Sequence, residues 1–377
     1  MIRIPFNRPF ATGDELDYIG AAITTPKFSG DGPYTTRCHM LLEQSLGIQK
    51  ALLTTSCTHA LEMAALLLEI APGDEVILPA FTFPSVANAF VLRGARPVFV
   101  DIRADTLNID ESQIEHRITE RTKAIFLVHY AGVGCEMDTI LTIARRHAIA
   151  VVEDNAHGLY GRYRGRYLGT FGELAALSFH ETKNFTCGEG GALLINNARF
   201  NQRAEILREK GTDRSRFFRG EIDKYNWIDA GSSYLPSDLL AAFLRAQLEH
   251  RDQIQSMRGK LWETYARELG SWAETNDTRL PIIPPECEQS YHMFYVITPS
   301  LKSRQALISH LADFGILAVF HYLPLHLSPM GLRFGGCAGD CPVTEDLTNR
   351  LLRLPFFTGM SSSEQAQVIE AVRGFRC

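Results

Sequence analysis

Between residues 51 and 197, short apolar runs alternate with stretches of helical periodicity, and this alternation restricts the fold more than any other feature. The runs interpreted as strands lie at 50–53, 75–78, 97–101, 123–129, 149–153, 175–179 and 192–195. Helices are predicted between most of them, at 58–70, 85–93, 111–119 and 138–147, and a polar hairpin at 161–169. Strands joined through helices form mostly parallel sheets covered on both faces, so the pattern predicts an α/β fold.

The pattern changes in the second half of the chain. Residues 236 to about 269 are predicted to be helical, beginning at the start signal Ser237-Asp238. Extended runs at 291–298 and 317–322 and helices at 303–314 and 361–373 follow. A chain of 377 residues exceeds one ordinary domain. We therefore predict a large domain at 1–245 and a smaller C-terminal α+β domain at 246–377.

Composition and charge restrict the partners. A net charge of −5 and a pI near 6.2 give no electrostatic basis for binding nucleic acid or an anionic membrane. No apolar run approaches the roughly 20 residues of a membrane span, and the first residues lack a signal-peptide pattern. The eight scattered cysteines are typical of reduced thiols, so we expect a cytoplasmic protein. Cys337 and Cys341, with His321 and His326 upstream, have an unusual spacing for zinc, and no metal is predicted.

Asp154 and Lys183 each follow an apolar strand, at 149–153 and 175–179 respectively. Both side chains should emerge at the carboxyl edge of the sheet, where α/β folds bind ligands. An amine and a carboxylate so placed suit pyridoxal phosphate (PLP), because the amine can form a Schiff base and the acid can keep the pyridine nitrogen protonated. The alternative is a salt bridge beside a core strand. Neighbouring motifs favour the cofactor.

Two further motifs lie at the same predicted edge. The turn before the helix at 58–70 is rich in hydroxyls, and free N–H groups at a helix start bind phosphate. Its Ser56 and Thr58 could equally act as N-caps. Phe83 follows the second strand and could stack on a flat cofactor, although core packing is the commoner fate of a phenylalanine.

The order and spacing of five motifs resemble the sugar-nucleotide aminotransferases of the DegT/DnrJ/EryC1/StrS group. The motifs are the hydroxyl-rich turn, the Phe81-Thr-Phe83 stretch, Glu153-Asp-Asn-Ala-His157, Ser178-Phe-His-Glu-Thr-Lys-Asn184 and Gly188-Glu-Gly-Gly-Ala192. The resemblance implies fold type I of the PLP aminotransferases. It also implies roles for individual residues: Lys183 as the Schiff-base lysine, Asp154 at the ring nitrogen, His157 beside the ring, Phe83 stacked on it, and Ser56, Cys57, Thr58 and Ser178 at the phosphate.

The resemblance further implies a homodimer with shared active sites. In many relatives a polar residue of the neighbouring subunit reaches the phosphate from the position of Leu235, and a leucine cannot do so. Ser232 or Ser233 are the candidates to replace it.

The implied reaction moves an amino group from L-glutamate to a nucleotide-linked keto sugar, with the 4-keto carbon of a dTDP-linked 6-deoxyhexose favoured. The candidate substrate residues are a basic loop with Arg214, Arg219, Lys224 and Tyr225 for the diphosphate, and His321, Tyr322 and His326 for the hexose. A solvated surface loop and ordinary packing are the respective alternatives.

Several rival functions remain open. Amination at a 3-keto carbon would differ only in how the hexose lies over the cofactor. A non-catalytic regulatory member would be expected to lack Lys183 or Asp154, and a dehydratase of the family carries histidine in place of the lysine. A nicotinamide-dependent dehydrogenase would need a glycine-rich fingerprint after an early strand, which this sequence lacks.

Overall fold

The computed structural model describes residues 2–377. The helices are α1 (Glu15–Ile23), α2 (Pro33–Leu46), α3 (Cys57–Leu67), α4 (Pro84–Val91), α5 (Glu111–Ile114), α6 (Met137–Arg146), α7 (Asn201–Arg208), α8 (Arg214–Phe218), α9 (Asp238–Glu249), α10 (Arg251–Thr275), α11 (Leu301–Asp313), α12 (Pro329–Arg333), α13 (Pro342–Arg350) and α14 (Ser362–Arg373). The strands are β1 (Lys50–Thr54), β2 (Glu75–Pro79), β3 (Arg96–Val100), β4 (Thr122–Val128), β5 (Ala150–Asp154), β6 (Arg162–Tyr163), β7 (Arg166–Tyr167), β8 (Leu174–Ser178), β9 (Gly191–Ile195), β10 (Cys287–Glu288), β11 (Tyr295–Ile297) and β12 (Leu351–Arg353).

The central sheet has the strand order β1-β9-β8-β5-β4-β2-β3 within residues 2–377. Strands β8, β5, β4, β2 and β3 run parallel, whereas β9 is antiparallel to both of its neighbours. The predicted α/β fold with a mostly parallel sheet is confirmed. Each predicted strand of this sheet agrees with the structure to within one residue at either end. The predicted hairpin is also present, because β6 pairs with β7.

Both faces of the sheet are covered, as the continuous apolar runs require. Along β4, Phe126 packs against the cluster formed with α3 and α4, while its neighbours Ile125 and Leu127 pack against α6 on the other face. Strand side chains alternate between faces, so one run contributes to two cores. Helices α1, α2 and α9 form a third core with β1, β8 and β9.

The small domain has its own core. The side chains of α10, α11 and α14 pack there against β11 and β12. The helix predicted over 236–269 is divided at His250, which leaves helical geometry with φ −91° and ψ 19°. The predicted boundary at 245/246 falls inside α9, which packs with the large-domain core, while Ile4 from the other end of the chain packs in the small domain. That division stays a prediction, and packing favours the α9–α10 junction.

Candidate active site

A cavity of about 570 Å³ lies at the carboxyl ends of β2, β5 and β8, between the large sheet and the small domain. Asp154 is the last residue of β5, and Ser178 is the last residue of β8. The predicted residues that line the cavity are Ser56, Cys57, Thr58, Phe83, Asp154, His157, Ser178, Lys183, His321 and Tyr322. Residues far apart in the sequence are therefore brought to one sheet edge.

Asp154 and Lys183 face this cavity together. Asp154 is 6% exposed, and its Oδ1 accepts a hydrogen bond from the backbone N–H of Ala156 at 3.0 Å. Burial raises the pKa of Asp154, opposed by that N–H and by the nearby Lys183 amine. Desolvation lowers the pKa of Lys183, opposed by the Asp154 charge. Removal of water thus dominates both shifts, and each group partly restores the charged form of the other.

Beneath Asp154, a fully buried pair holds the end of β5 in place. Glu153 accepts three backbone N–H bonds, from Gly169, Phe171 and Gly172, each at 2.7 Å. It also lies 2.8 Å from Nε2 of His129, whose Nδ1 accepts the N–H of Cys135 and so leaves Nε2 as the donor. With all these bonds on Glu153, the neighbouring Asp154 projects from a fixed strand end into the cavity.

The hydroxyl-rich turn forms the start of α3. Ser56 is the N-cap, and its hydroxyl accepts the N–H of His59 at 3.1 Å. The Thr58 hydroxyl lies 2.8 Å from the hydroxyl of Ser85 at the start of α4. Gly191 of β9 packs so closely beneath that a Cβ there would lie 2.4 Å from the Cys57 nitrogen. The turn therefore presents a helix start and several hydroxyls to the cavity, as an anion site requires.

His157 and Phe83 each leave part of the side chain without a protein partner. His157 is stacked on His292, with ring centroids 4.2 Å apart, and its buried Nδ1 has no hydrogen-bond partner among residues 2–377. Burial lowers the pKa of both imidazoles well below the ordinary value, so both are neutral. Phe83 is 55% exposed at the N-terminus of α4. A flat polar ring would satisfy both residues.

The three small-domain residues predicted for the hexose do not lie together. His321 is buried beside the cavity, with Nδ1 3.0 Å from the Tyr130 hydroxyl, and Tyr322 packs near Phe83. His326 is fully buried outside the cavity, where its Nε2 lies 3.0 Å from Glu345. His326 belongs to a 3₁₀ turn at 325–327, and its ring packs near Phe99, away from the cavity.

The basic loop, defined as residues 214–225, lies outside the cavity of its own chain. Arg214 pairs with Glu209 at 3.2 Å, and Arg219 pairs with Glu205 and Glu221 at 3.0 and 2.6 Å. Lys224 and Tyr225 are exposed. Ser232 and Ser233 are exposed as well, and neither lines the cavity.

The structure adds cavity residues that the sequence analysis missed, above all His292 and Arg353. His292 is the second residue of the extended run predicted at 291–298. Its Nδ1 lies 2.9 Å from Oδ1 of Asn184. Arg353 stands in the apolar run Leu351-Leu-Arg-Leu-Pro355. A lone arginine in such a run is a signal that could have identified it.

The residues present fit PLP. The free His157 nitrogen, the Phe83 face, the hydroxyl-lined helix start and the Lys183–Asp154 pair correspond to the phenolic oxygen, ring, phosphate, aldehyde and ring nitrogen of that cofactor.

Comparison with known proteins defines the class. The family model described as the DegT/DnrJ/EryC1/StrS aminotransferase family matches residues 11–373, and the chain belongs to that family. Its fold is fold type I of the PLP enzymes, and PLP is its cofactor.

Particular relatives match along most of their length. GDP-perosamine synthase of Escherichia coli O157:H7 is 30% identical, over 99% of this chain and 98% of that protein. A pleiotropic regulatory protein of Geobacillus stearothermophilus is 34% identical, over 84% of this chain and 82% of its own. Among solved structures, the PMP form of Spr1654 from Streptococcus pneumoniae, assigned as a sugar aminotransferase, is 27% identical with a TM-score of 0.92, covering 99% of this chain and 98% of that one.

No helix within residues 2–377 is long and apolar enough to cross a membrane. No three His, Cys, Asp or Glu side chains within that range are grouped so that they could hold a metal ion.

Proposed function

We propose that the protein transfers an amino group from L-glutamate to the 4-keto carbon of dTDP-4-dehydro-6-deoxy-D-glucose, giving dTDP-4-amino-4,6-dideoxy-D-galactose. The observation that carries the amino-transfer proposal is that Lys183 and Asp154 face one cavity at the sheet edge. The choice of sugar is supported by sequence resemblance to dTDP-4-amino-4,6-dideoxygalactose transaminase. The resembling segments are 28–33, 130–138, 218–220, 223–225, 231–235 and 320–326.

Lys183 is the proposed proton carrier. When bound, PLP supplies an electron sink for the pair left on the substrate carbon. Nζ of Lys183 takes the proton from that carbon in the glutamate half-reaction and returns one in the sugar half-reaction. This requires a neutral amine for part of the cycle, and the lowered pKa of Lys183 favours it.

Asp154 and His157 have supporting roles. The Asp154 carboxylate would hold a proton on the pyridine nitrogen, and the bonds that fix Glu153 keep it aimed there. His157 would use its free Nδ1 toward the phenolic oxygen, because burial keeps the imidazole neutral. Both are proposed binding and orienting roles.

The hexose would bind beneath the small-domain wall. His321 and Tyr322 offer neutral polar groups there, since burial lowers the pKa of His321 and raises that of Tyr322. Neutral donors and acceptors suit sugar hydroxyls. His326 is left out of the proposed set because it lies outside the cavity, paired with Glu345.

A second copy of the chain would complete the site. Around the basic loop, large aromatic side chains are exposed: Phe218 is 65% and Trp227 80% accessible. Exposed aromatic patches of this kind mark protein interfaces. A homodimer through this surface would bring the loop, with Ser232 and Ser233, to the partner's cavity. Trp227→Asp should then lower the dimer fraction in sedimentation equilibrium.

Product analysis tests the proposal. The holoenzyme is incubated with L-glutamate and a panel of dTDP- and UDP-linked 3-keto and 4-keto sugars, with Lys183→Ala as background, and products are identified by mass spectrometry and NMR. We expect the 4-amino galacto product from the dTDP substrate. Amination only at a 3-keto carbon would support the alternative within the family. A protein that binds PLP but converts no sugar would support the regulatory alternative.

A further inference from the structure

His157 and His292 are stacked in the cavity, and the two rings differ in how they are held. Their centroids lie 4.2 Å apart with 13° between the ring planes. Nδ1 of His157 is buried and has no hydrogen-bond partner among residues 2–377. The rings of Tyr130 and His321 are more distant from it, at 5.9 and 6.2 Å. Of these three ring contacts, the stack on His292 is therefore the one that most restrains the orientation of His157.

The ring of His292 is held by Asn184, the residue that follows Lys183. Nδ2 of Asn184 donates to the carbonyl of Ser290 at 2.7 Å, so its Oδ1 faces Nδ1 of His292 at 2.9 Å. Because an amide oxygen only accepts, Nδ1 of His292 carries the proton and the ring has a single tautomer. Burial lowers the pKa of His292, and positive charges around the ring act in the same direction, so the imidazole is neutral.

The backbone on both sides of the His292 ring is fixed as well. The buried guanidinium of Arg258, in α10, donates to the carbonyls of Tyr291 and His292 at 2.8 and 2.6 Å. One residue earlier, the hydroxyl of Ser290 donates to the backbone carbonyl of His157. The segment 290–292 is therefore tied both to α10 and to the loop after β5 that carries His157.

Tyr291 has a left-handed backbone, with φ 55°. This conformation is unfavourable for a residue that has a Cβ. The Tyr291 ring packs on α10, where a Cβ added at Gly259 would lie 3.3 Å from Cε2 of the tyrosine, whereas the next residue, His292, lines the cavity. Strained residues persist where surrounding contacts determine the conformation, and they are commonest at functional sites. Here the strained residue precedes an imidazole that faces the cavity.

We propose that His292 is a positioning residue, whose fixed ring holds the imidazole of His157 in the orientation that serves the cofactor. The inference rests on the proposed function, in which His157 binds the phenolic oxygen, and it adds the residue that orients His157. A functional side chain that lacks hydrogen bonds to the protein needs neighbours that lock its rotamer. His292 is suited to this because Asn184 and Arg258 fix its own ring and backbone.

The test follows the visible absorbance of the holoenzyme against pH, without glutamate or sugar. An N–H donor next to the phenolic oxygen stabilises the more negative form of the cofactor, so loss of that donor should raise the pH of the midpoint. His157→Phe keeps a ring but removes the nitrogens, and it should raise the midpoint by about one to two pH units. His292→Ala should raise the midpoint too. His292→Phe, which keeps a flat ring for the stack, should restore part of the wild-type value.

The double variant His157→Phe/His292→Ala separates positioning from an independent effect. A residue that acts only through His157 cannot add a shift when the imidazole is absent, so the double variant should titrate like His157→Phe alone. A loss of thermal stability caused by His292→Ala would instead appear in both backgrounds. If His292→Ala does not fold, His292→Leu, which fills the space without a flat ring, replaces it in both chains.

His310→Ala is the matched control. The His310 ring also packs on aromatic rings, those of Phe314 and Phe375 at 5.0 and 5.3 Å, but it does not line the cavity. This variant should lower thermal stability and leave the midpoint unchanged.

Three results would overturn the inference. They are a wild-type midpoint in the His292 variant that lacks the ring, shifts that add in the double variant, and a wild-type midpoint in His157→Phe, since His157 would then have no role for His292 to support. Coupled shifts in a protein that aminates no keto sugar would defeat the proposed function and leave this inference standing.

Discussion

The cavity floor and the basic loop both carry charged residues, but the floor residues are buried in a cavity and the loop residues are exposed and paired with opposite charges. In the floor, defined as Lys183, Asp154 and His157, burial shifts the pKa values and one imidazole nitrogen lacks a partner. In the loop, Arg214 and Arg219 are exposed and already paired with glutamates.

The difference separates what one chain can do from what needs a further component. Groups in a cavity whose pKa values are shifted by burial are suited to moving protons. Exposed, paired arginines gain little from their glutamates, since surface ion pairs contribute about 0–1 kcal/mol, and they can exchange them for a phosphate. We therefore expect large effects from floor substitutions and small, substrate-specific effects from loop substitutions.

The largest effect is expected for Lys183→Ala. Removing the proton carrier should lower transamination by about 10⁴-fold, the upper end of the range for general acid–base catalysis. Steady-state assays with purified holoenzyme check this. Lys123→Ala, which removes an exposed lysine at the other end of the sheet, should be silent.

Borohydride reduction sharpens the same prediction. In the wild type, peptide mapping should find the pyridoxyl group on Lys183, and Lys183→Ala should leave no labelled peptide. A label on any other lysine of the wild type would remove the basis for the floor as the reacting site.

Asp154→Asn should have the next largest effect. Asparagine keeps the shape of the side chain but cannot hold the ring nitrogen protonated, so cofactor should be retained. Turnover should fall at least about a hundredfold, equivalent to about 2.7 kcal/mol of transition-state stabilisation. Absorbance and steady-state kinetics measure the two parts. Near-normal turnover would place the partner of the ring nitrogen elsewhere, and Asp252→Asn at an exposed site serves as control.

Loop substitutions should have smaller and selective effects. If the loop receives a sugar-linked diphosphate, Arg219→Gln should lower the efficiency of the sugar half-reaction about tenfold and leave the glutamate half-reaction unchanged. Rapid mixing of each half-reaction separates them, with exposed Arg199→Gln as control. Equal losses in both halves would show that the loop supports the fold or the dimer, and no loss in either would leave it a solvated surface.

Local sequence signals account for the parts of the structure that were predicted well. Short continuous apolar runs determine where these strands lie, and a polar residue that ends such a run must emerge at the sheet edge. Asp154 is the last residue of its strand for this reason. The start of α9 was also predictable from a local signal, because the Ser237 hydroxyl accepts a backbone N–H in the first turn.

Non-local packing accounts for what the sequence did not predict. The break between α9 and α10 contains no Pro or Gly, and it lies at His250, which is held by Asp14 at 2.7 Å. His321 lies beside the cavity and His326 outside it although they are five positions apart (326 − 321), because residues 322–324 form no regular element that would carry a period to the 3₁₀ turn at 325–327. Helix α2 is a different case, because its local signals were present and were not used. It has a Pro in its first turn and a left-handed Gly47 at its end.

The smallest predicted effect is a shift in the titration of Lys183 in the apoprotein. Desolvation lowers the pKa of this amine below its ordinary value of about 10.4, so it should become neutral and reactive at lower pH in the native apoprotein than in the urea-unfolded chain. Reductive methylation at a series of pH values, with the Lys183 peptide quantified, measures the midpoint in each state.

Asp154 gives that titration an internal control. Its negative charge raises the pKa of Lys183 and so opposes desolvation. Asp154→Asn should therefore move the native midpoint to still lower pH and leave the unfolded midpoint unchanged. The same shift has a consequence for stability: between the native and unfolded midpoints the unfolded chain binds more protons, so the free energy of unfolding should rise with pH there. A native midpoint equal to the unfolded one, in both proteins, would mean that the floor does not desolvate its amine, and the contrast with the exposed loop would lose its physical basis.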